Sequence, residues 1–305
     1  MQLFYCKDIG PEGFCTLDAE ESRHAVRVLR LREGDTINVT DGRGKLYRCT
    51  IVDANEKACG LTPQPPLRGG EGEKVKLHLA VAPTKNPSRM EWLVEKAVEI
   101  GVGEITLLQC DHSERTFLKT DRLEKLAVSA MKQSLHTVLP TINPPVRLRE
   151  WLCSVCSEQC AVSRELNTFS PAYGGDLGNH GNGLDEISQD RSLKSEKNLH
   201  DLAPQGRRPQ QCGVSIEQNT QRFIAHCEVD KPRTPLAAAM QPGRDAVVLI
   251  GPEGDFSAEE ISLALEHGFQ PVSLGPSRLR TETAALYAVT AFNLINDKGD
   301  KEGRS

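Results

Sequence analysis

Ile250-Gly251-Pro252-Glu253-Gly254-Asp255-Phe256-Ser257 and, further on, Leu274-Gly275-Pro276-Ser277-Arg278-Leu279-Arg280-Thr281-Glu282-Thr283-Ala284 are the two stretches that decide the fold. Each follows a short apolar strand, Ala246 to Ile250 and Pro271 to Leu274. Each then passes a glycine-containing turn and enters a helix. Two such units side by side place two glycine loops at the carboxyl edge of one parallel sheet, where open α/β sheets hold ligands. Glycine there lets main-chain amides and carbonyls approach a small molecule with no side chain between. The nucleotide signatures G-x-G-x-x-G and G-x-x-x-x-G-K-[ST] are absent.

The same alternation of strand and helix begins at residue 75. Val75, Leu77, Leu79 and Val81 alternate as a strand. The helix after it has Ser88 and Glu91 at capping-box spacing, an apolar stripe of Met90, Leu93, Val94, Ala97 and Val98, and Gly101 to stop it. Glu104 to Cys110 reads as the next strand. Asp121 with Glu124 opens a helix carrying Leu123, Leu126, Ala130, Met131 and Leu135. Ser257 with Glu260 is another capping box, closed by Gly268, and the last helix spans about Glu282 to Ile295. The expected fold class is α/β, a parallel sheet with helices on both faces.

Residues 1 to 70 differ. Short apolar runs (Gln2 to Cys6, Thr36 to Thr40, Leu46 to Val52) are separated by turns such as Asp41-Gly42-Arg43-Gly44, with one helix at Ala19 to Leu31. They predict a small β-barrel, and Pro63 to Gly72 marks the linker to a second domain over 73–298. Inside that domain, residues 163–215 are rich in Asn, Gln, Gly, Ser and Asp. Such a segment buries too little apolar surface to offset its ordering entropy, and it predicts a disordered surface insertion. It lies between a helix ending near Cys160 and a strand at Arg222 to Cys227.

The chain has 305 residues, enough for one large or two ordinary domains. No run approaches the length of an apolar membrane span, and MQLFYCKDIG has neither signal- nor transit-peptide character, so a soluble cytoplasmic protein is expected. Its ten dispersed cysteines then read as reduced thiols. Cys153, Cys156 and Cys160 fall on one helix face with Leu152 and read as core thiols, since their spacing suits no iron–sulfur cluster. The eight histidines show no metal-ligand spacing, so no metal is expected. A formal charge of −5 weighs against tight non-specific binding of nucleic acid but leaves room for a basic face.

The two glycine loops resemble the paired cofactor loops of the SPOUT methyltransferases, and most closely those of the RsmE family. Residues 85–102 (Lys85, Arg89, Glu91-Trp92, Glu95-Lys96-Ala97, Glu99, Gly101-Val102), Glu114-Arg115-Thr116, Gln133-Ser134 and His24 to Asp35 carry the resemblance further. It covers nearly the whole chain outside the insertion. It implies a PUA-like, OB-related RNA-binding barrel followed by a trefoil-knotted α/β domain, a homodimer, and S-adenosylmethionine bound in the knot. It also implies methylation of N3 of a uridine in 16S rRNA, within the small ribosomal subunit. The rivals are ribose 2′-O or guanine-N1 methylation of rRNA or tRNA on the same fold, and a catalytically silent ribosome-assembly factor.

Uridine N3 carries a proton, so transfer to it requires deprotonation and in-line attack on a sulfonium methyl, with the protein supplying position and charge. The residues that the resemblance implies for the cofactor are Leu249, Ile250, Gly251, Glu253, Gly254, Leu274, Gly275, Leu279, Arg280, Thr281, Thr283 and Ala284. Arg280 suits stabilisation of a uracil anion, because its fork donates to oxygens. Glu282 is a candidate to orient Arg280, to take the proton or to bind the target, but a helix amino-terminal acid reads the same way. Arg115 lies past a strand's carboxyl end, where a catalytic, base or phosphate contact and an exposed loop arginine are both open readings. Lys85 and Arg89 begin a helix, an unfavourable place for cations, which points to an external anion such as RNA phosphate. Arg23, Arg27 and Arg30 form a basic stripe at i, i+4 and i+7, read as a phosphate-tracking surface. Four sites depart from the family pattern: Asp255 in place of a glycine, Ser277-Arg278 in place of Arg-Ile, and Lys132 and His136 around Gln133-Ser134.

Overall fold

The computed structural model describes residues 2–9, 14–67, 75–115, 118–155, 219–228 and 232–297. The insertion, Cys156 and Cys160 lie outside them.

The amino-terminal strands are β1 (Leu3–Tyr5), β2 (Cys15–Thr16), β3 (Thr36–Thr40), β4 (Leu46–Asp53) and β5 (Gly60–Pro63). They form a barrel-like sheet in the order β1-β3-β4-β5-β2, antiparallel except for β1 on β3. Period-two patterning turns Ile37, Val39, Cys49 and Ile51 inward onto Phe4, Leu17 and Leu61. Cys6, Cys15 and Cys59 join them as free thiols. The helix between β2 and β3 departs from expectation. Asp18 caps α1 (Ala19–Arg23) by accepting from Glu20 N and Glu21 N, but the chain then widens into a π-helical turn, His24–Val28. Arg30 lies beyond it in a left-handed conformation, φ 58°. The wider turn and this reversal break the 3.6-residue period, so Arg23, Arg27 and Arg30 do not form one helical stripe.

The second sheet contains β6 (Leu77–Val81), β7 (Glu104–Gln109), β8 (Thr141–Arg147), β9 (Gln221–Ala225), β10 (Thr234–Pro235), β11 (Ala246–Ile250) and β12 (Gln270–Ser273). Their order is β10-β12-β9-β11-β6-β7-β8, and every pairing is parallel. β6 and β11 are buried along their whole length, as central strands covered on both faces must be, so the alternation read in 75–81 does not mark an exposed face. One face carries α2 (Pro87–Ile100), α3 (Thr120–Gln133), α5 (Leu236–Ala239) and α7 (Thr281–Asn296). The other carries α4 (148–155) and α6 (Ala258–Glu266), through Trp151, Leu152, Ile261 and Ala264.

Local signals explain most helix ends. Ser257 and Glu260 form the reciprocal capping box at the start of α6. Gly101 closes α2 at φ 110°. The start of α2 differs from expectation: Asn86 is the cap, accepting from Ser88 N with Pro87 at the first helical position, so Ser88 and Glu91 form no box. Helix α3 starts at Thr120 and places Asp121 in its first turn. Helix α4 turns Trp151, Leu152 and Val155 inward and leaves Cys153 exposed, against the expected core-thiol stripe. The larger apolar side chains take the buried positions.

The two sheets belong to one compact unit. The Asp41–Gly44 turn docks on the segment after α3: Leu139 N donates to Gly42 O (2.8 Å) and Gly44 N to Thr137 O (2.9 Å). Lys132, one of the departures from the family pattern, forms an ion pair with Glu21 of α1. Among the described residues no helix is long and apolar enough to cross a membrane.

Candidate functional site

The strand order β12-β9-β11 brings three loops together at the carboxyl edge: residues after Ala225, the first glycine loop after Ile250, and the second after Ser273. Between them is a cavity of about 300 Å³. Its walls combine apolar side chains (Ile250, Val272, Leu274, Leu279, Ala284) with the main chain of both glycine loops.

Backbone geometry dictates the glycines. A Cβ on Gly251 would meet the Phe256 ring at 3.1 Å and the Phe256 amide nitrogen at 3.2 Å, so that the ring and the turn would have to give by a few tenths of an ångström. Gly275 has φ 115° with open space around it, so conformation rather than crowding requires glycine there. The two loops are joined directly, as the buried Thr281 Oγ1 donates to Gly251 O at 3.2 Å. Glu253 Oε1 accepts from Lys85 N (2.9 Å), tying the first loop to the segment after β6. Asp255 adopts φ 67° and ties the first loop to the third wall, its Oδ2 accepting from Cys227 N at 2.7 Å.

Of the residues expected at a cofactor, Ile250, Gly251, Glu253, Leu274, Gly275, Leu279, Arg280, Thr281 and Ala284 line this cavity. Leu249 is buried within the sheet, Gly254 packs on His112, and Thr283 is exposed on α7. The expectation missed the third wall: Ala225, His226, Cys227 and Arg233. The strand at 222–227 was legible, and the edge rule applied to its carboxyl end identifies them. Burial raises the Cys227 thiol above its usual range, with Arg278 and Arg233 opposing that shift.

Arg280 is the N-cap residue of α7, lines the cavity, and uses no side-chain bond to cap the helix. Glu282 is absent from the cavity wall. It is buried, with Oε1 3.7 Å from Arg89 Nη1 and Oε2 without a partner, so it faces Arg89 rather than Arg280. Arg115 Nε donates to Lys85 O at 3.2 Å, outside the cavity lining. Lys85 Nζ meets Glu114 Oε2 at 2.6 Å, and that hydrogen bond raises the ammonium's pKa. The anions beside Lys85 and Arg89 are therefore protein carboxylates. Arg27 pairs with Glu56 at 3.3 Å on the barrel surface, and Arg23 and Arg30 are exposed.

Residues 71–169 and 207–293 match the pattern of an RNA methyltransferase domain, and residues 17–63 that of an RNA methyltransferase PUA domain. A probable rRNA-methyltransferase from Porphyromonas gingivalis has a similar crystal structure, with 32% identity and a TM-score of 0.71 over 97% of this chain and 98% of that one. This chain belongs to the RsmE family of RNA methyltransferases. Among curated relatives, ribosomal RNA small subunit methyltransferase E of Buchnera aphidicola is 23% identical over 300 residues, 96% of this chain and 93% of its own. A protein of that name from Neisseria gonorrhoeae, crystallised with S-adenosyl methionine, shares the fold at 21% identity and a TM-score of 0.65, over 97% and 98% of the two chains. Asp255, read in the sequence as a departure from the family pattern, uses its carboxylate to take the Cys227 amide.

Proposed function

We propose that this chain transfers a methyl group from S-adenosylmethionine to N3 of a uridine in the RNA of the small ribosomal subunit. The observation that carries the reading is the cavity bounded by two glycine loops with Arg280 on its wall. The cavity suits the cofactor. It falls at the lower end of the ~300–1,000 Å³ typical of small-molecule sites. Its apolar side chains offer a dry surface to an adenine ring, glycine-loop main chain offers hydrogen-bond partners, and Glu253 sets a carboxylate beside a cationic ligand. When bound, the cofactor supplies an electrophilic methyl on a sulfonium.

The chain's own residues then hold and discriminate. Ile250, Leu274 and Leu279 exclude water from the ring-binding wall, and Gly251 and Gly275 admit close backbone approach. Arg280 donates to the uracil carbonyls flanking N3 and stabilises the anion left when the imide proton passes to solvent water. Arg115, with its Nε tied to Lys85 O, meets phosphate, while Arg89 and Lys85 are paired with Glu282 and Glu114. The barrel over residues 1–70 holds RNA through exposed Arg23, Arg27 and Arg30, and residues 73–298 perform the transfer.

The knotted path is supported by topology. Strand β12 lies beyond β9 from β11, yet α7, which follows it, packs on α2, β6, β11 and α5. A homodimer in the cytoplasm completes the reading. Trp92 (47% exposed) on α2 and Tyr287 (42%) and Leu294 (71%) on the adjoining α7 are the apolar surface that a second copy would cover.

The test is calorimetry with S-adenosylmethionine, followed by methyl transfer to purified small subunits and mass spectrometry of the RNA. Arg280→Ala is expected to lose turnover by about 10²–10³-fold, the scale of one donor to a developing anion. Unchanged turnover removes Arg280 from catalysis. A product methylated on ribose or guanine replaces the uridine assignment, and a wild-type protein that binds no cofactor is a silent factor.

A further inference from the structure

The side chain of Asp255 joins two walls of the cavity. Its Oδ2 accepts from Cys227 N at 2.7 Å, across from β11 to the loop after β9, while Oδ1 accepts from its own neighbour Phe256 N at 2.9 Å. The amide of Asp255 closes a turn on Pro252 O (3.0 Å), and its carbonyl meets His112 Nδ1 at 3.1 Å. The residue is thus held at four atoms, in a backbone region (φ 67°) that only glycine enters freely. Of the three described non-glycine residues with positive φ, Arg30, Leu135 and Asp255, it alone lines the cavity. Strained backbone that persists at a ligand cavity is retained for what it positions.

The chemistry of the latch is specific. An amide donating to a carboxylate is a charge-assisted bond, stronger than a neutral one. The Cys227 segment follows β9, and Arg233 donates to His226 O within the same wall, so the Asp255 carboxylate is the bond that crosses from this wall to the first glycine loop. Loss of the latch leaves the third wall without its bond to the first glycine loop. A ligand seated between both walls must then bind a cavity of which only a fraction is assembled, and its apparent affinity falls by that fraction.

We infer that Asp255 is a positioning residue that fastens the third wall to the first glycine loop and thereby sets the affinity for the cofactor, with little part in the transfer step. This rests on the proposed reading of the cavity.

Four full-length proteins test it: wild type, Asp255→Gly, Asp255→Ala and Asp255→Asn. Calorimetry with S-adenosylmethionine gives affinity, methyl transfer to small subunits gives KM for the cofactor and kcat separately, and thermal melting gives stability. Glycine tolerates φ 67° but lacks the latch, so Asp255→Gly should bind the cofactor about tenfold more weakly, the worth of one charge-assisted hydrogen bond, with kcat retained at saturation. Asp255→Ala should lose affinity equally and also melt about 2–4 °C below the glycine variant, because only alanine bears the strain. Asp255→Asn keeps an amide oxygen for Cys227 N but not the charge, so it should recover about half of the lost binding free energy, about threefold in affinity. Affinity of Asp255→Gly within twofold of wild type overturns the inference, as does a loss confined to kcat. So does failure of asparagine to improve on alanine. Absence of binding by the wild type itself removes instead the proposed function on which the inference stands.

Discussion

Replacing Thr281 by valine removes one hydroxyl and almost no volume. In the native protein that hydroxyl donates to Gly251 O across 3.2 Å of buried space, the direct bond between the two glycine loops. The bond is neutral and longer than the ~2.5–3.0 Å usual for a hydroxyl donor, so by itself it contributes about 0.5 kcal/mol. Valine additionally leaves a buried carbonyl facing a methyl group, and stranding an acceptor costs about 1–3 kcal/mol. Because the bond given up is a long one, we take the lower half, about 1–2 kcal/mol in all. For a domain of this size that lowers Tm by about 2–8 °C. Urea denaturation with unchanged slope checks the free energy, and a titration with S-adenosylmethionine checks whether loosening the loops also weakens binding. Thr281→Ser keeps the donor and should stay within about 0.5 kcal/mol of wild type, a typical benign change. If valine proves as stable as threonine, or serine as damaging as valine, the hydroxyl does not join the loops.

The ion pair between the sheets gives a second test. The Glu21 side chain is only 6% exposed and that of Lys132 26%, so Lys132→Ala should leave a buried carboxylate uncompensated and cost about 2–4 kcal/mol. Adding Glu21→Gln should recover much of that loss in denaturant melts, and a double variant as unstable as the single one contradicts the pairing. A third prediction concerns pH. His78 is buried on β6, bonded to Thr106 Oγ1 at 2.7 Å, and burial lowers its pKa from 6.5 although Glu104 acts in the other direction. The unfolded chain therefore binds this proton more readily than the folded one, so stability present above pH 6.5 is lost as pH falls toward the folded value. His78→Gln should flatten the difference in denaturation midpoint between pH 7.5 and 5.5, a comparison that cancels the other titrating groups.

What the sequence makes legible here is what local physics sets. The capping box of α6, the glycine stop of α2 and the strand Ala246–Ile250 all appear where the residues say, because each depends on neighbours within a few positions. Strand β8 was not anticipated, since Pro144 and Pro145 argue against a strand, yet β8 is an edge strand where a missing ladder donor is tolerated. The arginine stripe failed because a π turn changes the angular spacing, and nothing in Arg23 to Arg30 announces that turn. Most of the cavity lining followed from the two glycine loops. The third wall did not, because it contains no glycine to mark it, only the end of a strand whose place beside β11 is a fact of topology.

Asp255 and Lys132 lead to one physical conclusion. Each departs from the family pattern, and each proves to be half of a tie between elements far apart in the chain: Asp255 to Cys227, and Lys132 to Glu21. The partner of Asp255 is a main-chain amide, which every position offers, so no pattern of residue types can reveal it. The partner of Lys132 is a carboxylate on a helix of the other sheet, one of 42 acidic residues with equal claim by composition. A substitution inside a glycine motif or at a helix end is thus visible as a departure, while its meaning depends on which groups the fold delivers to it. For Asp255 the fold delivers the wall of the cavity. A left-handed aspartate costs more than glycine in the same place, and the Cys227 amide is the bond through which the carboxylate offsets that strain.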